Sequence, residues 1–134
     1  MNHIPEDVQG YDFTWSACAF EHLGSIEKGF EFVKNSLKCL KPGGLAVHTT
    51  EFNVSSNDDT VDNQATVLFR KRDFEKLAAE LQKDGHEIAF SFNTGNSSFD
   101  KYYDIPPYSD YTHLKLLIDK YVSTSIGLVI KKAE

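Results

Sequence analysis

The sequence predicts an α/β fold, a sheet of about four strands with helices packed on it. Short segments rich in aromatic and β-branched residues alternate with longer segments in which apolar residues recur every three or four positions. Turn residues, mainly Gly, Pro and Asn, separate these segments. A helix between the early strands predicts parallel pairing, whereas the non-helical connection before the last strand predicts an antiparallel pair.

The first strand–helix–strand unit occupies residues 10–50. Segment 11–19 is short, aromatic and largely apolar, so we predict a strand buried on both faces, with Phe13 and Trp15 in the core. Ser25 is a favourable N-cap for the helix that follows. One apolar stripe then predicts the buried side of that helix: Ile26, Phe30, Val33, Leu37 and Leu40. A Lys-Pro-Gly-Gly turn ends the helix before a second strand at 45–50.

The rest of the chain divides into a long polar loop at 51–70 and a unit at 71–134. That unit holds an amphipathic helix near 72–83, a third strand at 87–92 and a final strand at 123–131. A second insertion occupies 93–111, and segment 113–118 fits helix and strand equally. We predict one domain over 1–134, with the strands in the spatial order first, second, fourth, third.

Composition limits the classes of partner. The 134 residues include 14 Lys and Arg against 20 Asp and Glu, a formal net charge of −6. Nucleic acids and anionic membranes are bound by clustered cations, so neither is an expected partner. No segment reaches the roughly 18 apolar residues of a membrane span, and we expect no signal peptide. Cys18 and Cys39 lack metal-site spacing. A reduced, cytoplasmic protein is therefore the expectation.

Four motifs follow one another along the chain. They are Tyr-Asp-Phe-Thr-Trp-Ser at 11–16, Glu-His-Leu at 21–23, Leu-Lys-Pro-Gly-Gly at 40–44 and Thr-Ser-Ile-Gly-Leu-Val-Ile at 124–130. Together they resemble the second half of a class I S-adenosylmethionine-dependent methyltransferase. The resemblance implies a partial Rossmann-like methyltransferase sheet with its last two strands antiparallel. It also implies methyl transfer to a small-molecule acceptor, with S-adenosylmethionine as cofactor.

The family's cofactor loop is missing from this sequence. Class I methyltransferases hold the cofactor with a Gly-rich loop after their first strand, where backbone approaches the ligand closely, and with an acid that binds ribose hydroxyls. This chain contains no GxGxG, and its Gly43-Gly44 pair follows a helix and precedes a strand. The resemblance therefore implies a C-terminal half, and we expect the isolated chain to bind S-adenosylmethionine poorly.

Candidate site residues gather beyond the first strand. Ligands of open α/β sheets bind at the carboxyl ends of strands, so Glu21 and His22 are predicted catalytic residues, with His22 as a base for the acceptor proton. Glu51, just after the second strand, is a third. The alternatives are that Glu21 caps the next helix or pairs with a lysine, and that His22 is simply exposed. The resemblance assigns cofactor contacts to Asn2, Ser16 and Glu21.

A metal site is not predicted. Glu21, His22, His48 and Glu51 form a carboxylate and imidazole set of the kind that suits a divalent ion. However, the side chains of a regular strand alternate, which puts His48 and Glu51 on opposite faces. A core histidine and a carboxylate in solvent or near a substrate pocket are the favoured interpretation.

The second insertion is rich in aromatic residues. These side chains either build the acceptor pocket, as the resemblance implies, or pack on one another: Phe99, Tyr102, Tyr103, Tyr108 and Tyr111.

Three functions stay open at this point. The first is a methyltransferase fragment, the second a non-catalytic oligomerising or regulatory module without cofactor binding, and the third an unrelated small α/β binding domain. The strand at 11–19 would have no neighbour on one side, so we expect a homodimer or larger assembly through this exposed edge. A small-molecule acceptor is the other expected partner.

Overall fold

The computed structural model describes residues 3–134, which form a five-stranded mixed sheet and two main helices. The strands are β1 (Tyr11–Ala17), β2 (Leu40–Asn53), β3 (Glu87–Ala89), β4 (Leu116–Ile118) and β5 (Tyr121–Lys131). The helices are α1 (Ile26–Lys38), α2 (Lys71–Lys83) and the single turn α3 (Ser98–Lys101), and a 3₁₀ turn spans Phe20–His22. Within residues 3–134, no helix has the length and apolar character needed to cross a membrane.

The strand order is β1-β2-β5-β3, with the short β4 beside β5. β1 runs parallel to β2, whereas β5 runs antiparallel to β2, β3 and β4. The predicted order of four strands and the antiparallel pairing of the last two are therefore confirmed. β4 is an additional strand, and it lies in the segment whose sequence fits helix and strand equally.

β2 is longer than predicted, which shortens the first loop. It pairs with β5 continuously from Leu45, opposite Lys131, to Asn53, opposite Ser123. Glu51 therefore lies within the sheet rather than in the predicted loop 51–70. β3 is shorter than predicted, because the chain leaves β5 after residue 89.

Local sequence signals start both main helices. The Ser25 hydroxyl accepts a hydrogen bond from the N–H of Lys28 (3.2 Å), which satisfies one of the unpaired N–H groups in the first turn of α1. At the start of α2, the Asp73 carboxylate accepts a hydrogen bond from the N–H of Arg70 (2.8 Å) and pairs with its guanidinium. Each helix then buries one apolar stripe against the sheet.

An aromatic core fills the space between these helices and the sheet. Neighbouring phenylalanine rings have centroids 5.0–6.3 Å apart. The sheet contributes alternate side chains of β2 and β5, which are fully or almost fully buried: Ala46, Phe52, Ile126, Leu128 and Ile130. Gly29 allows α1 to approach closely, since a Cβ at this position would lie 2.7 Å from Cζ of Phe69.

Residues 3–134 leave apolar side chains on the opposite face of the sheet exposed. Phe13 and Trp15 project from it and are 52% and 68% exposed, so the prediction of core positions in a strand buried on both faces is wrong. The physical reason is that β1 is an edge strand and both main helices cover the same face. Leu45 and Val129 extend the exposed apolar surface over β2 and β5. We call these four residues the bare face.

Candidate functional site

A sharp turn at the carboxyl end of β1 builds the candidate site. Cys18 adopts the left-handed backbone conformation (φ 44°), which is uncommon for residues other than glycine. Its N–H donates to the carbonyl of Thr49 on β2 (3.0 Å), so the turn is tied to the neighbouring strand. Phe20, fully buried, then anchors the 3₁₀ turn in the core. This geometry directs the next residues across the end of the sheet.

Glu21 is a buried carboxyl at this strand end. Its side chain is 1% exposed, and its Oε2 accepts a hydrogen bond from the Thr50 hydroxyl (2.9 Å). Burial raises the pKa of Glu21 above its usual range, because the charged form loses hydration, and the Thr50 hydrogen bond opposes that rise only in part. A buried carboxyl whose pKa is shifted in this way is typical of functional sites.

His22 presents an accessible lone pair beside Glu21. Its Nδ1 lies 2.9 Å from the carbonyl oxygen of Ala65. A carbonyl only accepts, so Nδ1 carries the proton and the neutral ring has its lone pair on Nε2. That Nε2 is 4.0 Å from Oε1 of Glu21, and the side chain is 58% exposed. The predicted base therefore has the tautomer and the exposure that proton abstraction needs, and its catalytic role stays a prediction.

The structure brings Glu51 and Glu21 together with a third group, Cys18. One carboxylate oxygen of each glutamate and the Sγ of Cys18 all lie within 4.8 Å of one another. The two glutamates meet because Glu21 lies over the end of the sheet, where side chains from both faces are in reach. Glu51 also accepts a hydrogen bond from the Ser123 hydroxyl (2.5 Å).

Among residues 3–134, these three groups lie close enough together to hold a divalent ion. Two carboxylates and a thiolate are ligands that zinc accepts, and His48 is not among them. Sequence reasoning missed Cys18, because it lies within the predicted strand 11–19, whereas β1 ends at Ala17. The expectation that no metal site exists remains a prediction.

His48 lies in the core, on the face of β2 opposite to Glu51, as strand alternation predicts. Its Nδ1 is 2.7 Å from the Ser16 hydroxyl and its Nε2 is 3.0 Å from the Ser36 hydroxyl. Burial lowers the pKa of His48 to about 4. Ser16, a predicted cofactor contact, therefore directs its hydroxyl toward this core histidine. Asn2, another predicted contact, lies outside the described residues.

A cavity of about 330 Å³ lies on the face of β5 that carries Thr124 and Ile126. It is bounded by β5 and the second insertion, and polar groups dominate its lining: Ser91, Asn93, Thr94, Asp100, Lys115, Thr124 and Ser125. Strand alternation directs the Ser125 hydroxyl to the other face of β5 from Thr124 and Ile126, and there it lies 4.0 Å from the Sγ of Cys18. The tyrosines of the second insertion lie elsewhere, largely exposed. A cavity of about 360 Å³ between the C-terminal ends of α1 and α2 is far from the strand carboxyl ends, where ligands bind in such sheets.

Replacing Glu21 with Gln should change the pH dependence of stability. The folded-state pKa of Glu21 is raised, so its contribution to stability is complete below the unfolded pKa and is lost as pH rises through the folded value. Glu21→Gln can keep the Thr50 hydrogen bond and removes this loss. Urea unfolding at pH 4.5 and pH 8 should show the variant gaining stability relative to the natural protein at the higher pH. A constant difference would contradict the buried, reluctantly ionised carboxyl.

Comparison with known proteins identifies the architecture. No family model matches the chain, and no curated protein does. The crystal structure of TehB from Haemophilus influenzae is similar, with a TM-score of 0.52 and 15% identity, over 96% of this chain and 38% of TehB. The chain thus spans well under half the length of TehB. At this identity the likeness concerns the fold alone, and the chain has a Rossmann-like, methyltransferase-like α/β fold.

Proposed function

We propose that this chain is the C-terminal, acceptor-side half of an S-adenosylmethionine-dependent methyltransferase that acts on a small hydroxyl or amine compound. The observation that carries the proposal is the buried Glu21 carboxyl at the carboxyl end of β1, within 4.8 Å of groups on Cys18 and Glu51. Perturbed carboxyls at strand ends are typical of catalytic sites in α/β sheets. The methyltransferase-like fold and the four sequence motifs favour methyl transfer as the reaction class.

Residues 3–134 fit only part of the cofactor. The carboxyl oxygens of Glu21 and Glu51 suit an ammonium group, such as that of the methionine part. Ser16 already shares its hydroxyl with His48. The connection from β1 to α1 contains one glycine, Gly24. In the described chain it is therefore not a glycine-rich turn of the kind that lets the backbone approach a nucleoside closely. We derive no step through the cofactor from these residues and expect the chain alone to bind S-adenosylmethionine weakly.

Proton removal is the step that the chain's own residues can perform. His22 Nε2 carries an exposed lone pair and can take the proton from an acceptor O–H or N–H as that atom forms its bond to carbon. Glu21, when ionised, would stabilise the imidazolium that results, because its Oε1 lies 4.0 Å from Nε2.

A non-catalytic oligomerising or regulatory module is the second candidate. The bare face and the unpaired edge of β1 favour it, because contiguous exposed apolar residues mark interaction surfaces. In this alternative the Glu21 region binds no cofactor, and the methyltransferase-like fold serves only to present the surfaces that bind a partner.

Extending the chain by the segment encoded before it tests the proposed reaction. We expect the extended protein to convert S-adenosylmethionine to S-adenosylhomocysteine with a panel of hydroxyl and amine acceptors. His22→Ala should lower turnover by about 100-fold or more while cofactor binding persists. His113→Ala, just before β4 and bonded to the carbonyl of Tyr111, is the matched control and should keep full turnover.

Two outcomes would redirect the proposal. Unchanged turnover in His22→Ala would make His22 a structural residue. A preceding segment that encodes no strand followed by GxGxG, together with an extended protein that binds no cofactor, would favour the non-catalytic module.

A further inference from the structure

We propose that two copies of this chain pair through β1, running antiparallel about a twofold axis at Thr14, so that their two sheets join into one. The proposal does not depend on methyl transfer, because it uses the outer edge of β1 and the bare face rather than the groups around Glu21. The pairing concerns the 134-residue chain alone, since a preceding methyltransferase half would place its own strand on this edge, and a failure of either proposal leaves the other standing.

The backbone of β1 is free on its outer side. The N–H of Cys18 donates to the carbonyl of Thr49, and along a strand alternate residues direct their peptide groups to the same neighbour. The groups that point away from β2 over the regular part of the strand therefore belong to Phe13, Trp15 and Ala17. Among residues 3–134 no strand pairs with this side, so it offers the row of donors and acceptors that another strand would use.

The edge also lacks most of the features that prevent an edge strand from pairing with a strand of another molecule. Such strands are commonly protected by Lys, Pro, inward-pointing charges or bulges. Tyr11–Ala17 contains no Lys and no Pro, and its one charged side chain, Asp12, is paired with Lys41 (2.8 Å). The register irregularity lies at the start of the strand, between Tyr11 and Phe13, and the remainder pairs regularly with β2.

Symmetry selects the register of the proposed pair. With the axis at Thr14, the midpoint of β1, the two copies pair over the regular part of the strand, while the N–H of Tyr11 stays on β2, where it donates to the carbonyl of Cys39 (3.0 Å). Phe13 of each copy then lies opposite Trp15 of the other, which forms two cross-strand aromatic pairs on the joined bare faces. Asp12 lies opposite Ser16, so the two copies of Asp12 do not face each other.

A second copy is the occupant that fits these features. Each copy offers the same unpaired row and the same exposed rings, and a twofold contact satisfies both at once. A fully buried aromatic ring removes up to about 250 Å² from water. Four half-exposed rings therefore supply several hundred Å² toward the roughly 1,200 Å² at the lower end of stable interfaces. We accordingly expect a dimer that dissociates on dilution.

Disulfide trapping tests the register. In a Cys18→Ser background, which removes the exposed natural thiol, Thr14→Cys should give a covalent dimer under mild oxidation. Residues facing each other in a non-hydrogen-bonded antiparallel pair have Cα atoms about 4.5 Å apart, within the range of a disulfide. The matched variant Asp12→Cys should stay uncross-linked, because its two copies would lie four residues, roughly 13 Å, apart along the strands.

Solution mass and fluorescence test the interface without cross-linking. Light scattering should give twice the chain mass of 15.1 kDa at high micromolar concentration. Trp15 is the one tryptophan, so its emission should shift to longer wavelength as dilution exposes it. Trp15→Lys places a charge on the edge and should give a monomer. Val129→Lys, on the bare face but away from the edge, should remain dimeric.

Three results would overturn the proposal. The first is a stable monomer at every concentration. The second is equal cross-linking of Thr14→Cys and Asp12→Cys. The third is a dimer that Val129→Lys disrupts and Trp15→Lys does not, since copies would then meet face to face or another polypeptide would be the natural occupant of the edge.

Discussion

Lowering the pH from 6.5 to 4 should remove about 3 kcal/mol of unfolding free energy through His48 alone. This imidazole is fully buried, and burial lowers its pKa from the ordinary 6.5 to about 4. Between these values the unfolded chain binds a proton at His48 that the folded chain does not. Stability therefore falls as the pH falls, and the loss is complete below pH 4.

The hydrogen bonds around His48 explain why it stays neutral. The Ser36 hydroxyl donates to the Val33 carbonyl (2.6 Å), so it must accept from Nε2–H of the imidazole (3.0 Å). Nδ1 then accepts from the Ser16 hydroxyl (2.7 Å). Protonation at Nδ1 would require that hydroxyl to reverse, and would place a charge beside the ring of Phe20.

Urea unfolding at pH steps between 7 and 4 measures this effect. Across the interval the natural protein should lose about 3 kcal/mol more than His48→Gln. The pKa of Glu21 is raised and its titration acts in the opposite sense, but it is present in both proteins and cancels in the difference. Parallel pH profiles would contradict a buried neutral imidazole.

Phe74→Ala should have the largest effect of any single substitution discussed, a loss of about 3–5 kcal/mol of unfolding free energy. Phe74 on α2 is completely buried. Its ring centroid lies 5.7–6.2 Å from those of Phe52, Phe69, Phe90 and Phe92. Alanine has the higher helix propensity, so the loss would report packing rather than helix formation.

The control for this substitution is Phe99→Ala. Phe99 lies in the single turn α3 and is 46% exposed, so the same atoms are removed from a place that contributes little packing. Chemical denaturation should show a change within about 0.5 kcal/mol. Comparable losses for both variants would mean that the aromatic core does not carry the stability assigned to it.

Local patterns predicted most of the fold. The apolar stripes of α1 and α2, the N-cap of α1 and the absence of a helix before the last strand depend on near neighbours in sequence, and the strand order followed from them. The exposure of Phe13 and Trp15 could not be predicted in this way. An aromatic, apolar strand has the same sequence whether one face or both faces are covered, and the cover depends on distant elements.

The sequence predicted at which strand end the site lies, but not the conformation and contacts of all its residues. Position beyond β1 singled out Glu21 and His22, and alternation placed His48 in the core, away from Glu51. The contribution of Cys18 depends on a left-handed turn that the sequence does not signal. The tautomer of His22 depends on a carbonyl 43 residues away in the first loop.

We propose that the site around Glu21 contacts only the methionine part of S-adenosylmethionine. Nuclear magnetic resonance titration of the isotope-labelled chain with S-adenosylmethionine, methionine and adenosine tests it most directly. We expect the first two ligands to shift the same amides, at 18–23 and Glu51, with dissociation constants of about 1 mM or weaker, as a few polar contacts allow. Adenosine should shift none of them. A low-micromolar dissociation constant for S-adenosylmethionine, or ligand-induced shifts by adenosine alone, would contradict the claim.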